Sequence, residues 1–172
     1  MDPHVELARL SLERYVTSGQ PLDTVPEHLA RLIPPGPRAC FVSLHDPDGS
    51  LRGCMGTLEP TEPQLALEIL RNARVAASRD HRFDPVRPEE LPGLQVGVDV
   101  LSPLEGVGGA DALDPRRYGA VLSTWDGRRG VLLPDLPGVD TVEDQLAIVR
   151  RKAGIRDGEP VRIQRFTVER HG

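Results

Sequence analysis

The sequence predicts an α+β fold, a largely antiparallel sheet flanked by helices, and three observations carry that expectation. Strand-type runs come in pairs around short turns, and LQVGVDVLS alternates apolar and polar residues with a period of two. Between these runs, apolar residues recur at helical spacing. At 172 residues the chain is long enough for one domain over 1–172 with its own core, without a disulfide or metal to hold it.

Taken in order, HVELARLSLERYV places Val5, Ala8, Leu12 and Tyr15 on one helical face. A proline-rich crossing follows, with a short helix expected at Glu27 to Ile33. ACFVSLH and SLRGCMGTL flank Asp-Pro-Asp-Gly and read as a hairpin. If that turn closes symmetrically, His45 faces Ser50 and Cys40 faces Met55. Cys54 then lies on the opposite face of the sheet from Cys40, so no disulfide is expected.

Thr61 and Gln64 have the spacing of a capping box, ahead of a helix carrying Leu65, Ile69, Ala73 and Ala76 on one face. ASRDHRFDPVRPEELPG is polar and proline-broken, a long loop. GAVLSTW and RRGVLL flank Asp126-Gly127, a strong hairpin signal. Thr141 caps a further helix with Val142, Leu146, Val149 and Ala153 inward and Gly154 at its end, and VRIQRFTV is a closing strand. Alternation and the Asp-Gly turn suggest that the 39–57 and 119–133 hairpins share one sheet with strands 94–101 and 161–168.

Several functions lose support at once. Net charge is −5, the one lysine is Lys152, and three Phe, two Tyr and one Trp offer few stacking platforms, so nucleic-acid binding ranks last. The arginines at 71, 74, 79, 82 and 87 and the Arg150–Arg151–Lys152 cluster are its only support. The N-terminal residues do not form a signal peptide and no run suffices for a membrane span, so a reduced, cytoplasmic protein is expected. The five histidines are scattered, and Cys40 and Cys54 lack the spacing of a zinc knuckle, so no metal and no cofactor are expected. Phosphate-loop and nucleophile-elbow motifs are missing.

LRGCMGTL, residues 51–58, is the segment that asks for a function. Gly53 and Gly56 weaken a strand and mark a close backbone approach, which a ligand could use. In an extended backbone Arg52 and Cys54 project to the same side, where a guanidinium stabilises a thiolate. The alternative is that Cys54 packs as a small hydrophobe and the glycines relieve crowding under a helix. DHRFDPVRP is a second candidate: His81 could serve as base to a thiol and Arg82 could hold an anion, against a reading as a solvated loop anchored by Phe83.

LRGCMGTL, then RFDPV, RRGVLLP, RKAGI and a final strand with RF resemble, in that order, the AMMECR domain, whose prokaryotic members are called AmmeMemoRadiSam system protein A. The resemblance covers about residues 5–168. It implies an α+β protein with a larger and a smaller lobe, and an RGC segment lining a cleft between them. The partners it implies are a radical S-adenosylmethionine protein and a Memo-type protein. Asp135 stands where many members carry glutamine, and Val149 and Arg150 where relatives often have a cysteine.

Two functions fit. One is a cleft for a small molecule or partner peptide, with Cys54 as nucleophile or ligand-contacting thiol, helped by Arg52, Thr57 and His81, and with Arg52, Gly53, Gly56, Thr57 and Arg82 contacting the ligand. The other is a non-catalytic binding or scaffold module in which Cys54 packs. The sequence does not decide whether the chain is an enzyme.

Overall fold

Asp2 opens the first helix, α1 (Pro3–Ser18), by accepting the amides of His4 and Val5, with Pro3 in the first turn and Gly19 closing the far end at φ 69°. The structure, a computed structural model, describes residues 1–172. Helix α2 (Glu27–Ala30) is shorter than the expected 27–33, because Pro34 and Pro35 close behind it. Strands β1 (Cys40–His45) and β2 (Leu51–Gly56) form the first hairpin, followed by helix α3 (Leu65–Ser78) and strand β3 (Gln95–Leu101).

The second half supplies β4 (Glu105–Val107), β5 (Gly119–Ser123), β6 (Arg129–Leu132), α4 (Val142–Ala153), β7 (Arg162–Phe166) and β8 (Val168–His171). The chain divides into two units, residues 1–101 with 169–172, and residues 102–168. Helices and antiparallel sheet are mixed in both, the α+β class the sequence predicts.

In the first unit the strand order is β2-β1-β3-β8. Cys40, Val42 and Leu44 of β1 and Val96, Val98 and Val100 of β3 share the buried face. They form one core with Leu65, Ile69, Ala73 and Ala76 of α3 and Leu7, Ala8 and Leu12 of α1. Two buried polar contacts fix the layers. Ser11 donates to the Leu70 carbonyl at 2.7 Å, and Asn72 donates to the Cys40 carbonyl at 2.9 Å. The expected Thr61–Gln64 capping box does not form. Gln64 is the N-cap without a side-chain bond, and Thr61 turns instead to Glu68.

The second unit has the order β4-β7-β5-β6 with α4 capped by Thr141, whose hydroxyl accepts the Asp144 amide at 3.1 Å. Leu113, Ala120, Leu122, Leu132, Val149 and Ile155 form its core. The single sheet expected from the sequence is therefore two. β1 is paired on both sides by β2 and β3, and β5 by β6 and β7, which leaves neither hairpin's inner strand open to the other. Alternation reports that one face is buried, not which strand lies alongside. The expected 161–168 strand also divides at Thr167, whose amide and carbonyl both bond Ser102, before β8 joins the other sheet. No helix is long and apolar enough to cross a membrane.

Candidate functional site

Strand β2 is an edge strand, so alternate amides along it have no strand partner. Its register with β1 pairs Phe41 with Gly56, Val42 with Met55, Ser43 with Cys54 and Leu44 with Gly53, then His45 with Leu51. The skipped residue is Arg52, a bulge. The expected His45–Ser50 pairing is displaced by one residue at the turn and by another at the bulge. The two offsets cancel in parity, so Cys40 and Cys54 still lie on opposite faces and no disulfide joins them.

Arg52 is consumed by its surroundings. Its Nε and one Nη donate to the two Glu90 oxygens at 2.8 and 3.2 Å, and the remaining donors reach the Asp84 carbonyl at 2.9 Å and Pro85 at 3.5 Å. Glu90 is held below the ordinary carboxylate range, first by the Arg52 hydrogen bond. Arg52 stitches the 84–90 loop to the strand. Phe83 lies near two guanidinium groups, 6.0 Å from Arg52 and 5.5 Å from Arg82.

The charge beside Cys54 comes from the loop instead. The outward-pointing Cys54 amide donates to Asp80 Oδ2 at 2.9 Å. Asp80, almost wholly buried, also receives Arg82 Nε at 3.0 Å, its Nη at 2.7 Å and its amide at 3.1 Å. One carboxylate thus fastens the edge strand and aims a half-exposed guanidinium, which lies within electrostatic reach of the Cys54 sulfur. Cys54 itself is half-buried on the side of β2 turned away from α3. Cys40 is different in kind: fully buried, touched by Asn72, with its thiol pushed up to about 12 by burial. His81 is exposed, and the hydrogen bonds that Asp80 accepts come from Arg82 and the Cys54 amide.

The glycines have packing reasons. A Cβ at Gly53 would stand 2.6 Å from the Ala76 carbonyl oxygen of α3, and one at Gly56 would stand 2.5 Å from the Cys40 oxygen and from the Phe41 ring. The space expected for a ligand beside these two residues holds protein. Thr57 is likewise engaged, donating to Glu68 at 2.6 Å. Glu68 is completely buried yet accepts four donors: the Thr57 and Thr61 hydroxyls and the Thr61 and Glu62 amides. Sequence reasoning missed both Glu68 and Asp80 as organising groups. For Glu68 the visible signal was a carboxylate at a position where the helical pattern points inward; Asp80 lies in the loop beyond α3, where no such pattern runs.

Asp80 is held well below the usual carboxylate range, first by the Arg82 side-chain hydrogen bonds and then by the Cys54 and Arg82 amides, against burial. The unfolded chain therefore binds this proton more readily. Its stabilisation is complete above the ordinary value of 3.8 and fades as pH falls below it. With Arg82 partly screened by solvent, Asp80→Asn is expected to cost about 1–2 kcal/mol at neutral pH. Urea unfolding checks this: the gap to the unaltered chain should narrow as pH drops below about 4, whereas a constant gap contradicts it.

Two further arrangements bear on the site's chemistry. Arg82 and Arg87, two of the arginines behind the nucleic-acid reading, are paired with Asp80 and Glu90. The histidines are not all scattered in space: Asp2, His4 and His171 converge within 4.8 Å.

The AMMECR1 family pattern matches residues 5–171. A Thermotoga maritima protein is 51% identical over 98% of this chain and 97% of its own length. A Clostridium acetobutylicum protein is 42% identical over 99% of this chain, which spans only 36% of that longer protein. The crystal structure of an uncharacterised Pyrococcus horikoshii protein superposes with a TM-score of 0.86 at 30% identity, covering 98% of this chain and 89% of that one.

Proposed function

The chain belongs to the AMMECR1 family, and on that premise we propose that it is a binding protein whose site lies around Cys54 and Arg82 on the side of β2 turned away from α3. Its ligand is a small molecule or a partner peptide, engaged through the Cys54 thiol. One observation carries the reading: Asp80 holds the Cys54 amide and the Arg82 guanidinium together, so a cation is kept within electrostatic reach of a half-buried thiol. A guanidinium at that place favours thiolate and attracts an anionic group of a ligand.

A scaffold without catalysis is the second reading. It is favoured by the internal commitment of Arg52 to Glu90 and of Thr57 to Glu68, which leaves the motif's other polar side chains occupied. In that case the partner is a radical S-adenosylmethionine or Memo-type protein, in keeping with the resemblance to AmmeMemoRadiSam system protein A.

Cys54→Ser separates ligand engagement from folding. A serine at a half-buried position keeps contact with water, so the unfolding free energy should stay within about 1 kcal/mol. Native mass spectrometry of protein isolated from its own cells should show bound mass on the unaltered chain that Cys54→Ser and Arg82→Gln lose. Bare chain mass in all three, or bound mass that neither substitution alters, would overturn the proposal.

A further inference from the structure

Residues far apart in sequence meet at the start of α1. Asp2 is the N-cap, His4 lies in the first turn, and His171 is the last residue of β8. Asp2 Oδ1 accepts from His4 Nδ1 at 3.0 Å, and Oδ2 accepts from His171 Nδ1 at 2.8 Å. The two imidazole rings stack at 3.8 Å between centroids, inclined by 27°. His4 is 9% exposed at its side chain and His171 15%, while Asp2 keeps 33% and leaves a path from solvent.

We propose that Asp2, His4 and His171 form a site for a divalent transition-metal ion of the zinc class, bound by the two Nδ1 atoms and one Asp2 oxygen, with water completing the shell. The argument is chemical and geometric. Two imidazoles and one carboxylate are a donor set that zinc, cobalt or nickel accepts, whereas calcium and magnesium call for oxygen alone. Ligand atoms around a tetrahedral ion with bonds of 2.0–2.1 Å stand about 3.3 Å apart. His4 Nδ1 and His171 Nδ1 stand 3.0 and 2.8 Å from the two different oxygens of Asp2, a few tenths of an ångström short of that, and the three donor atoms lie within 4.8 Å of one another. An ion replacing the two ring protons therefore asks for a small outward movement of the carboxylate, and for the two rings, stacked at 3.8 Å and inclined by 27°, to tilt so that both nitrogen lone pairs meet at one point.

A cluster built only for hydrogen bonding would satisfy the second nitrogen of each ring. His171 Nε2 is buried with no hydrogen-bond partner, so this ring is placed by what its Nδ1 does. The neighbouring charges do not compete. Glu169 is taken by Arg38 at 3.0 Å, and Asp99 by Arg170 at 3.2 Å. Three protein ligands with an open position resemble the coordination of sites that exchange water or bind a further small group. Spacing along the chain could not reveal this site, since its third ligand lies 167 positions from the second by sequence number (171 − 4).

The test uses the full, untagged chain, with Zn²⁺ followed by calorimetry and Co²⁺ by visible absorption. The expected result is one equivalent per chain, a cobalt spectrum of nitrogen and oxygen ligation without thiolate charge transfer, and affinity at least about tenfold lower in His171→Gln and in His4→Gln. His28→Gln, at an exposed histidine, should bind as the unaltered chain does. Circular dichroism of each metal-free variant distinguishes lost ligation from lost folding, and the cobalt spectrum of the unaltered chain stands independently of both. No saturable binding, binding with thiolate bands, or binding unchanged in both histidine variants would overturn the site.

Discussion

Glu68→Ala is expected to lower the unfolding free energy by about 3–5 kcal/mol. The carboxylate is completely buried and serves two hydroxyls and two backbone amides between residues 57 and 62. Alanine would strand the Thr61 and Glu62 amides and the two threonine hydroxyls together. Each buried donor left unpaired costs about 1–3 kcal/mol, softened where the loop can open to water. Thr61 is exposed, and that opening keeps the total at the lower end of the sum. Glu68→Gln retains one acceptor oxygen and should lose about half as much. Urea unfolding of both variants checks the claim, and a loss under about 1 kcal/mol for alanine would show that the loop does not depend on this carboxylate.

Gly53→Val is expected to cost about 2–4 kcal/mol, because the obstacle is backbone. A Cβ at Gly53 would come within 2.6 Å of the Ala76 oxygen, so α3 must lift from β2 or the edge strand must bend. Valine's preference for strands, worth less than about 1 kcal/mol, does not offset that clash. Gly106→Val is the control: β4 is also a strand, and nothing lies within 4 Å of the added Cβ. It should fall within about 0.5 kcal/mol of the unaltered chain. Equal losses at 53 and 106 would refute the packing reason for Gly53.

Hairpins and helices were legible because their causes are local. Asp126-Gly127 closes β5 and β6, and Thr141 and Gly154 bound α4, each by chemistry confined to a few residues. The opposite faces of Cys40 and Cys54 were also legible, although through a register that differs at both the turn and Arg52. The division into two sheets was not legible. It depends on which strands meet across long separations, and on three-residue β4 and four-residue β8, too short to show a period.

At the site, the LRGCMGT segment stood out and its partners did not. Arg52 carries a charge that must be answered, but nothing local says that Glu90 answers it, or that Asp80 rather than Arg52 sets the surroundings of Cys54. Asp2, His4 and His171 lie beyond sequence reasoning for the same cause: pairing across the length of the chain is a property of the fold.

The most direct test of the account is the rate at which iodoacetamide modifies each cysteine of the folded chain at neutral pH, assigned by mass spectrometry. Cys40, buried with its thiol pushed up to about 12, should react only as fast as the chain unfolds. Cys54, half-buried beside Arg82, should react well ahead of it, and Arg82→Gln should slow Cys54 several-fold without touching Cys40. Equal, slow modification of both thiols, or a Cys54 rate indifferent to Arg82, would contradict a site at this strand.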